Sequence, residues 1–151
     1  VYLKKNTDVW IELTTLLIPG ENDTDQEIDK MTTWVVDSLG PEVPLHFTAF
    51  HPDYKMTDKS PTPAATLSRA RSIAVQNGVR YAYTGNTFDL EGQSTYCHSC
   101  GTRLIGRNWY VLSEWNLTSE GACKECGTRC SGLFDAIPGD WGSRRLPIRI
   151  I

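Results

Sequence analysis

Cys97-His98-Ser99-Cys100-Gly101 and Cys123-Lys124-Glu125-Cys126-Gly127 are two matching Cys-X2-Cys-Gly knuckles, with 22 residues between Cys100 and Cys123. Two residues between thiolates let both sulfurs reach one tetrahedral ion at about 2.3 Å. A glycine after the second cysteine admits positive φ, which lets backbone N–H groups turn toward the sulfurs. Those hydrogen bonds damp the thiolate charge. Four thiolates with no oxidative task suit a structural zinc ion held by Cys97, Cys100, Cys123 and Cys126; iron in a rubredoxin-like site is the other metal this donor set takes. A thioredoxin-like redox motif needs one such pair, not two. Cys130 extends the second knuckle to Cys-X2-Cys-X3-Cys. It reads either as a small buried residue beside the metal or as a further cluster ligand. His98, inside the first knuckle, is expected to face solvent.

The five cysteines all lie between residues 97 and 130. A disulfide framework would spread them to staple distant segments, so their clustering points to metal in a reducing, cytoplasmic compartment. The chain of 151 residues carries 15 Lys plus Arg against 18 Asp plus Glu, a net charge of -3. That balance argues against nucleic acid and against a polybasic membrane anchor, both of which need a cationic face. No apolar run approaches the ~20 residues of a membrane-spanning helix. With 40% hydrophobic residues, a packed core is expected.

The elements that must position these groups fall into zones: residues 1–93, a cysteine- and glycine-rich stretch at 94–131, and a tail at 132–151. Residues 9–18 read as a strand ended by Pro19-Gly20, and the run Leu16-Leu17-Ile18 fits a strand buried on both faces. Thr24 and Glu27 form a capping box for a helix with Ile28, Met31, Val35 and Leu39 on one side, stopped at Gly40-Pro41. Residues 43–50 give a second strand. Thr62 is expected to cap a helix with Pro63 at its first position and Gly78 at its end. Residues 79–83 form a third strand. Strand, helix, strand, helix, strand predicts parallel pairing through crossovers. Three strands cannot close a barrel, so the alternatives are a small open sheet or the C-terminal part of a larger barrel. The start at Val1, which leads almost directly into a strand-like run, favours the second. In the ribbon zone, residues 103–105 and 108–112 read as a short hairpin between the knuckles.

The run Trp10-Ile11-Glu12-Leu13-Thr14-Thr15-Leu16-Leu17-Ile18-Pro19-Gly20-Glu21-Asn22-Asp23 resembles a late barrel strand of radical S-adenosylmethionine (SAM) enzymes related to the pyruvate formate-lyase activating enzyme. Leu45-His46-Phe47-Thr48-Ala49-Phe50-His51-Pro52 resembles the next strand. Tyr54-Lys55-Met56, Pro61-Thr62-Pro63, both knuckles, Trp141-Gly142 and Arg144-Arg145-Leu146-Pro147 are similar to the branch called the AmmeMemoRadiSam system radical SAM enzyme. The resemblance implies α/β architecture: the C-terminal part of a partial (β/α)6 barrel followed by a small zinc ribbon. It also implies a 4Fe-4S cluster and SAM at the strand C-terminal ends, and a 5′-deoxyadenosyl radical that abstracts hydrogen from a substrate. Memo-family and AMMECR-family proteins are the partners it suggests. The cluster motif of that family, Cys-X3-Cys-X2-Cys, does not occur in these 151 residues. This chain alone is therefore expected to make no radical.

From the resemblance, His51 at a strand end is a SAM contact or else a loop-capping histidine beside Pro52. Leu16 is a wall of the adenine pocket or ordinary core. Asn86 stands where a polar cofactor contact would be, and Thr14 faces the substrate cavity or is structural. Asp53, Tyr54 and Lys55 form a loop over the cavity mouth or a solvated loop. The competing reading is a zinc-ribbon interaction module whose Trp109, Tyr110 and Trp115 dock a protein or other macromolecule, without catalysis. Nucleic acid is disfavoured because only Arg103, Arg107, Lys124 and Arg129 are basic in the ribbon.

Overall fold

A computed structural model describes residues 1–140 and 142–144 of the chain. It divides into two units, Val1–Gly92 and Gln93–Ile151. Trp141, Arg145, Leu146 and Pro147, which contributed to the family resemblance, lie outside the described residues.

The first unit opens with a short helix, α1 (Tyr2–Asn6), ahead of the run that the sequence reads as a strand at residues 9–18. Lys4 and Lys5 in its last turn complement the helix dipole. The first strand, β1, is confined to Leu13–Leu17, because Leu13 N–H is the first to pair, donating to the Pro44 carbonyl. Helix α2 (Asp25–Leu39) starts where expected. Thr24 Oγ1 accepts from the Glu27 N–H at 3.3 Å and donates to the Glu27 carboxylate at 2.7 Å. Asp25 and Glu27 place negative charge at the positive end of the dipole. Gly40, at φ 91, accepts the reversal that ends the helix.

Strand β2 spans Leu45–Ala49, helix α3 spans Ala64–Gln76 and strand β3 spans Ala82–Gly85. The expected Thr62 cap is corrected. Pro63 occupies the cap position without a side-chain hydrogen bond, and α3 begins at Ala64. The buried Thr62 hydroxyl works elsewhere: it accepts from the Phe50 N–H at 2.9 Å and donates to the Leu17 carbonyl at 2.6 Å. It thereby joins the C-terminal ends of β1 and β2. The third strand lies three residues further on than expected, because Val79 and Arg80 bond to Ala74 and Pro41 in the approach loop.

The strands run parallel in the order β1-β2-β3. Leu17, Leu45, Phe47 and Ala82 on one sheet face pack with Ile28 of α2 and Leu67, Ala70 and Ala74 of α3. Two alanines on α3 let its backbone approach the sheet. Asn77 locks the helices together, donating to the Asp29 carboxylate at 2.9 Å and the Thr32 hydroxyl at 2.8 Å. The alternation of side chains puts Thr14, His46 and Tyr83 in one register row of the opposite face, and Leu16, Thr48 and Gly85 in the next. Leu16 is 43% exposed, so neither the ordinary-core assignment nor burial of β1 on both faces holds. Both long helices sit on the other side.

The second unit is an antiparallel sheet in the order β4-β5-β6: Thr95–Tyr96, Arg103–Asn108 and Val111–Trp115. The hairpin turns at Trp109-Tyr110, beyond the position expected, with Trp109 at φ 52. Gln93 Oε1 fixes that turn by accepting the Trp109 N–H at 2.9 Å. Leu104, Ile105 and Leu117 supply the buried apolar side chains, joined by Cys97, Cys123 and Cys130.

Candidate functional site

The knuckles are built alike. The first fills the turn between β4 and β5, and the second follows β6. In each, the leading cysteine N–H donates to the carbonyl of a threonine five residues on: Cys97 to Thr102 at 2.8 Å and Cys123 to Thr128 at 2.9 Å. In each, the glycine N–H closes back on the leading cysteine carbonyl at 2.9 Å. Gly101 and Gly127 have φ 75 and 74, the conformation their place in the motif implied. Asn116 ties the second knuckle to the hairpin, donating through its side chain to the Arg103 carbonyl and accepting the Lys124 N–H at its own carbonyl.

The sulfurs of Cys97, Cys100, Cys123 and Cys126 all lie within 4.8 Å of one another. Cys97 and Cys126 Sγ are 3.6 Å apart, and Cys100 and Cys123 Sγ are 3.7 Å apart. A tetrahedral ion with metal–sulfur bonds of about 2.3 Å needs an edge of about 3.8 Å. The four cysteines are thus clustered to hold one metal ion. Cys97 and Cys123 are buried in the ribbon, whereas Cys100 and Cys126 are exposed.

That difference shows in their acidity. Burial pushes the Cys97 thiol up to about 11, against backbone N–H donors from Cys100 and Ser99. Cys126 is pulled down to about 6, first by the Thr128 hydroxyl and then by the Thr128 N–H. Thr102 lowers Cys100 in the same way. Both hydroxyls lie 3.3 Å from their sulfurs, and toward a thiolate the hydroxyl is the donor. Thr102 and Thr128 are functional residues that the reading of the knuckles missed. Their signal was present, since both motifs continue as Cys-Gly-Thr.

Cys130 is buried but stands outside the four-sulfur group, its N–H bonded to the Gly121 carbonyl at 2.8 Å. It occupies the place of a small core residue. His98 is exposed and likewise outside the group.

The other singled-out residues lie in the first unit. Thr14 and Leu16 are on the face of β1 opposite the helices. His51 follows the C-terminal end of β2 and is exposed. Asn86 follows β3 at φ 56, its side chain donating to the Ala49 carbonyl at 3.5 Å. The Asp53–Lys55 loop is exposed at Tyr54, over which the Lys55 ammonium sits 5.3 Å from the ring centroid. A group the sequence reading did not single out shares the sheet face with Thr14. His46 Nε2 meets Glu12 Oε2 at 2.7 Å and its ring stacks on Tyr83 with centroids 5.0 Å apart. No described helix is long and apolar enough to cross a membrane.

The fold and site together define a mixed α/β protein with a parallel sheet and a second, cysteine-ligated ribbon unit that can bind a metal ion. The chain is 44% identical over 128 residues to the uncharacterized protein MJ0808 of Methanocaldococcus jannaschii, a match covering 84% of this chain. It spans 38% of that relative's length. No protein-family model matches the sequence, and no solved structure matches it.

Proposed function

We propose that this chain is the C-terminal portion of a radical SAM enzyme of the AmmeMemoRadiSam type: an arc of (β/α)6 barrel followed by a zinc ribbon. The supporting observation is the one-sided sheet. Doubly wound sheets carry helices on both faces. A barrel carries all its helices outside and turns the inner face toward a cavity. Here β1, β2 and β3 are parallel neighbours in chain order and both long helices pack on one face. The face bearing Thr14, Leu16, His46, Thr48 and Tyr83 is the one a cavity would use.

In this reading His51 and Asn86, at strand C-terminal ends, contact SAM, Leu16 walls the adenine and Thr14 meets the substrate. The zinc ion is structural, held by Cys97, Cys100, Cys123 and Cys126. The residues of this chain do not fit the 4Fe-4S cluster: the clustered cysteines already form the four-sulfur site, and no Cys-X3-Cys-X2-Cys occurs in the sequence. No catalytic step through the cluster is derived for this chain alone. Memo-family and AMMECR-family proteins are the proposed functional partners, and the substrate can itself be a protein. A second reading, a ribbon that docks a macromolecule, is favoured by the exposure of Trp109 and Tyr110 at the β5–β6 turn, 52% and 67%.

The test is anaerobic incubation with SAM and dithionite, first of this chain and then of its full native reading frame after iron–sulfur reconstitution. The frame should encode Cys-X3-Cys-X2-Cys upstream and release 5′-deoxyadenosine, while the chain alone releases none. Substituting His51→Ala in the longer protein should lower that release. A native frame without the motif, or without SAM cleavage, would overturn the radical reading.

A further inference from the structure

We infer that the exposed edge of the four-sulfur site is an oxidation site: peroxide attacks it at Cys100 and Cys126, each of which then bonds to the buried cysteine of the opposite knuckle, and the ribbon gives up its metal. The inference rests on the metal reading of the ribbon and is independent of the radical reading of the α/β unit.

The knuckles present their sulfurs unequally. Cys97 and Cys123, 3% and 1% exposed, are closed off by the ribbon. Cys100 and Cys126 are exposed, together with all of residues 98–101 and 124–127. The space beside them is open, since a Cβ built on Gly101 or Gly127 meets nothing beyond its chain neighbours within 4 Å. Cysteine oxidation follows thiolate character and access. Metal ligation makes all four cysteines thiolates, so access decides among them. A small electrophile thus reaches one sulfur in each knuckle.

Each exposed sulfur has a partner ready to resolve it. Cys126 Sγ lies 3.6 Å from Cys97 Sγ, and Cys100 Sγ lies 3.7 Å from Cys123 Sγ. Both contacts cross from one knuckle to the other, and both join an exposed sulfur to a buried one. Cys130 stands outside the group and takes no part. The Thr102 and Thr128 hydroxyls lie 3.3 Å from Cys100 and Cys126 Sγ. A hydrogen bond donated to a thiolate draws charge from it and slows its attack. The two threonines therefore hold the exposed edge in check without covering it.

The step balances with hydrogen peroxide as oxidant. The Cys126 thiolate attacks one peroxide oxygen, an S–O bond forms, the O–O bond breaks, and the departing hydroxide takes a proton to become water. The Cys97 thiolate then attacks the Cys126 sulfur, the S–S bond forms, the S–O bond breaks, and a second hydroxide leaves as water. Two electrons pass from the sulfurs to the peroxide. Cys100 and Cys123 repeat the step with a second peroxide. The ion loses the thiolates that hold it, and a dithiol restores them by exchange.

The test treats the zinc-loaded 151-residue chain with hydrogen peroxide and reads zinc release with a colorimetric chelator. Tandem mass spectrometry of the digested, thiol-blocked protein then reads the pairing. The expected result is release of about one zinc ion per chain, with Cys97–Cys126 and Cys100–Cys123 disulfides, reversed by dithiothreitol and added zinc. At equal zinc loading Thr128→Val should release several-fold faster, Thr128→Ser at the wild-type rate, and Cys130→Ala at the wild-type rate. Should Thr128→Val fail to load, Thr102→Val makes the same comparison. Zinc retained in excess peroxide would overturn the inference alone, as would disulfides within a knuckle or to Cys130, or a threonine-to-valine variant no faster than wild type. A chain that takes up no zinc would overturn the metal reading and this inference with it.

Discussion

The ribbon unit gathers its four-sulfur site from its own residues, whereas the α/β unit gathers a hydrophobic core on one face of a parallel sheet. Four sulfurs, two glycines and two threonines of the ribbon come from two knuckles shaped by local turns, and the β5–β6 hairpin between them brings the knuckles together. Among the described residues, the α/β unit buries one sheet face under two helices and leaves Thr14 and Leu16 exposed on the other. Different forces hold the two together. The ribbon buries few large apolar side chains, so its stability depends on the metal. Phe47, Leu17, Ile28, Leu45 and Leu67, each at most 1% exposed, give the α/β unit a core of its own.

Breaking each unit at its own centre gives the largest effects. Cys97→Ala removes one of four ligands and should abolish metal binding, a loss on the order of 10 kcal/mol of apparent binding free energy. Ribbon structure should disappear from two-dimensional NMR spectra while the α/β signals persist. Phe47→Ala is the converse experiment. Emptying that fully buried position should cost about 3–5 kcal/mol in chemical denaturation, with metal content unchanged. Thr62→Val keeps the shape but orphans the Phe50 N–H and the Leu17 carbonyl, and should cost about 1–3 kcal/mol.

The smallest expected effect is on the ribbon surface. Arg103 Nε donates to Glu114 Oε2 at 2.9 Å, and the Arg103 guanidinium beside it holds the Glu114 carboxyl below its ordinary value of 4.5. A lowered folded-state value means that the pair's contribution is fully present above the ordinary carboxylate range. It is lost as pH falls through the lowered value. Both side chains are more than one-third exposed, so Glu114→Gln should shift ribbon melting by only about 1–2 °C at neutral pH and flatten its acid dependence.

Legibility in the sequence followed the same division. Each metal knuckle is a local motif, so the four ligands could be read from spacing alone. Thr24 and Glu27 were equally plain, because a capping box spans four consecutive positions. Strand ends were less so: Val9 and Trp10 have strand-forming side chains but no partner strand in register, and β1 starts only at Leu13. Thr62 deceived because its cap-like setting before Pro63 is local, while its actual partners are 12 and 45 residues away. The Glu12–His46 contact was illegible for the same reason, since 34 residues separate its members. Leu16 looked like core because an apolar run does not say whether one face of a strand is covered or two.

Amide hydrogen exchange of the metal-loaded chain, with and without a chelator, tests the division most directly. Chelation should erase protection in Arg103–Asn108 and Val111–Trp115 while leaving Leu13–Leu17, Leu45–Ala49 and both long helices protected. Uniform loss across both units, or a ribbon that stays protected without its metal, would contradict the account.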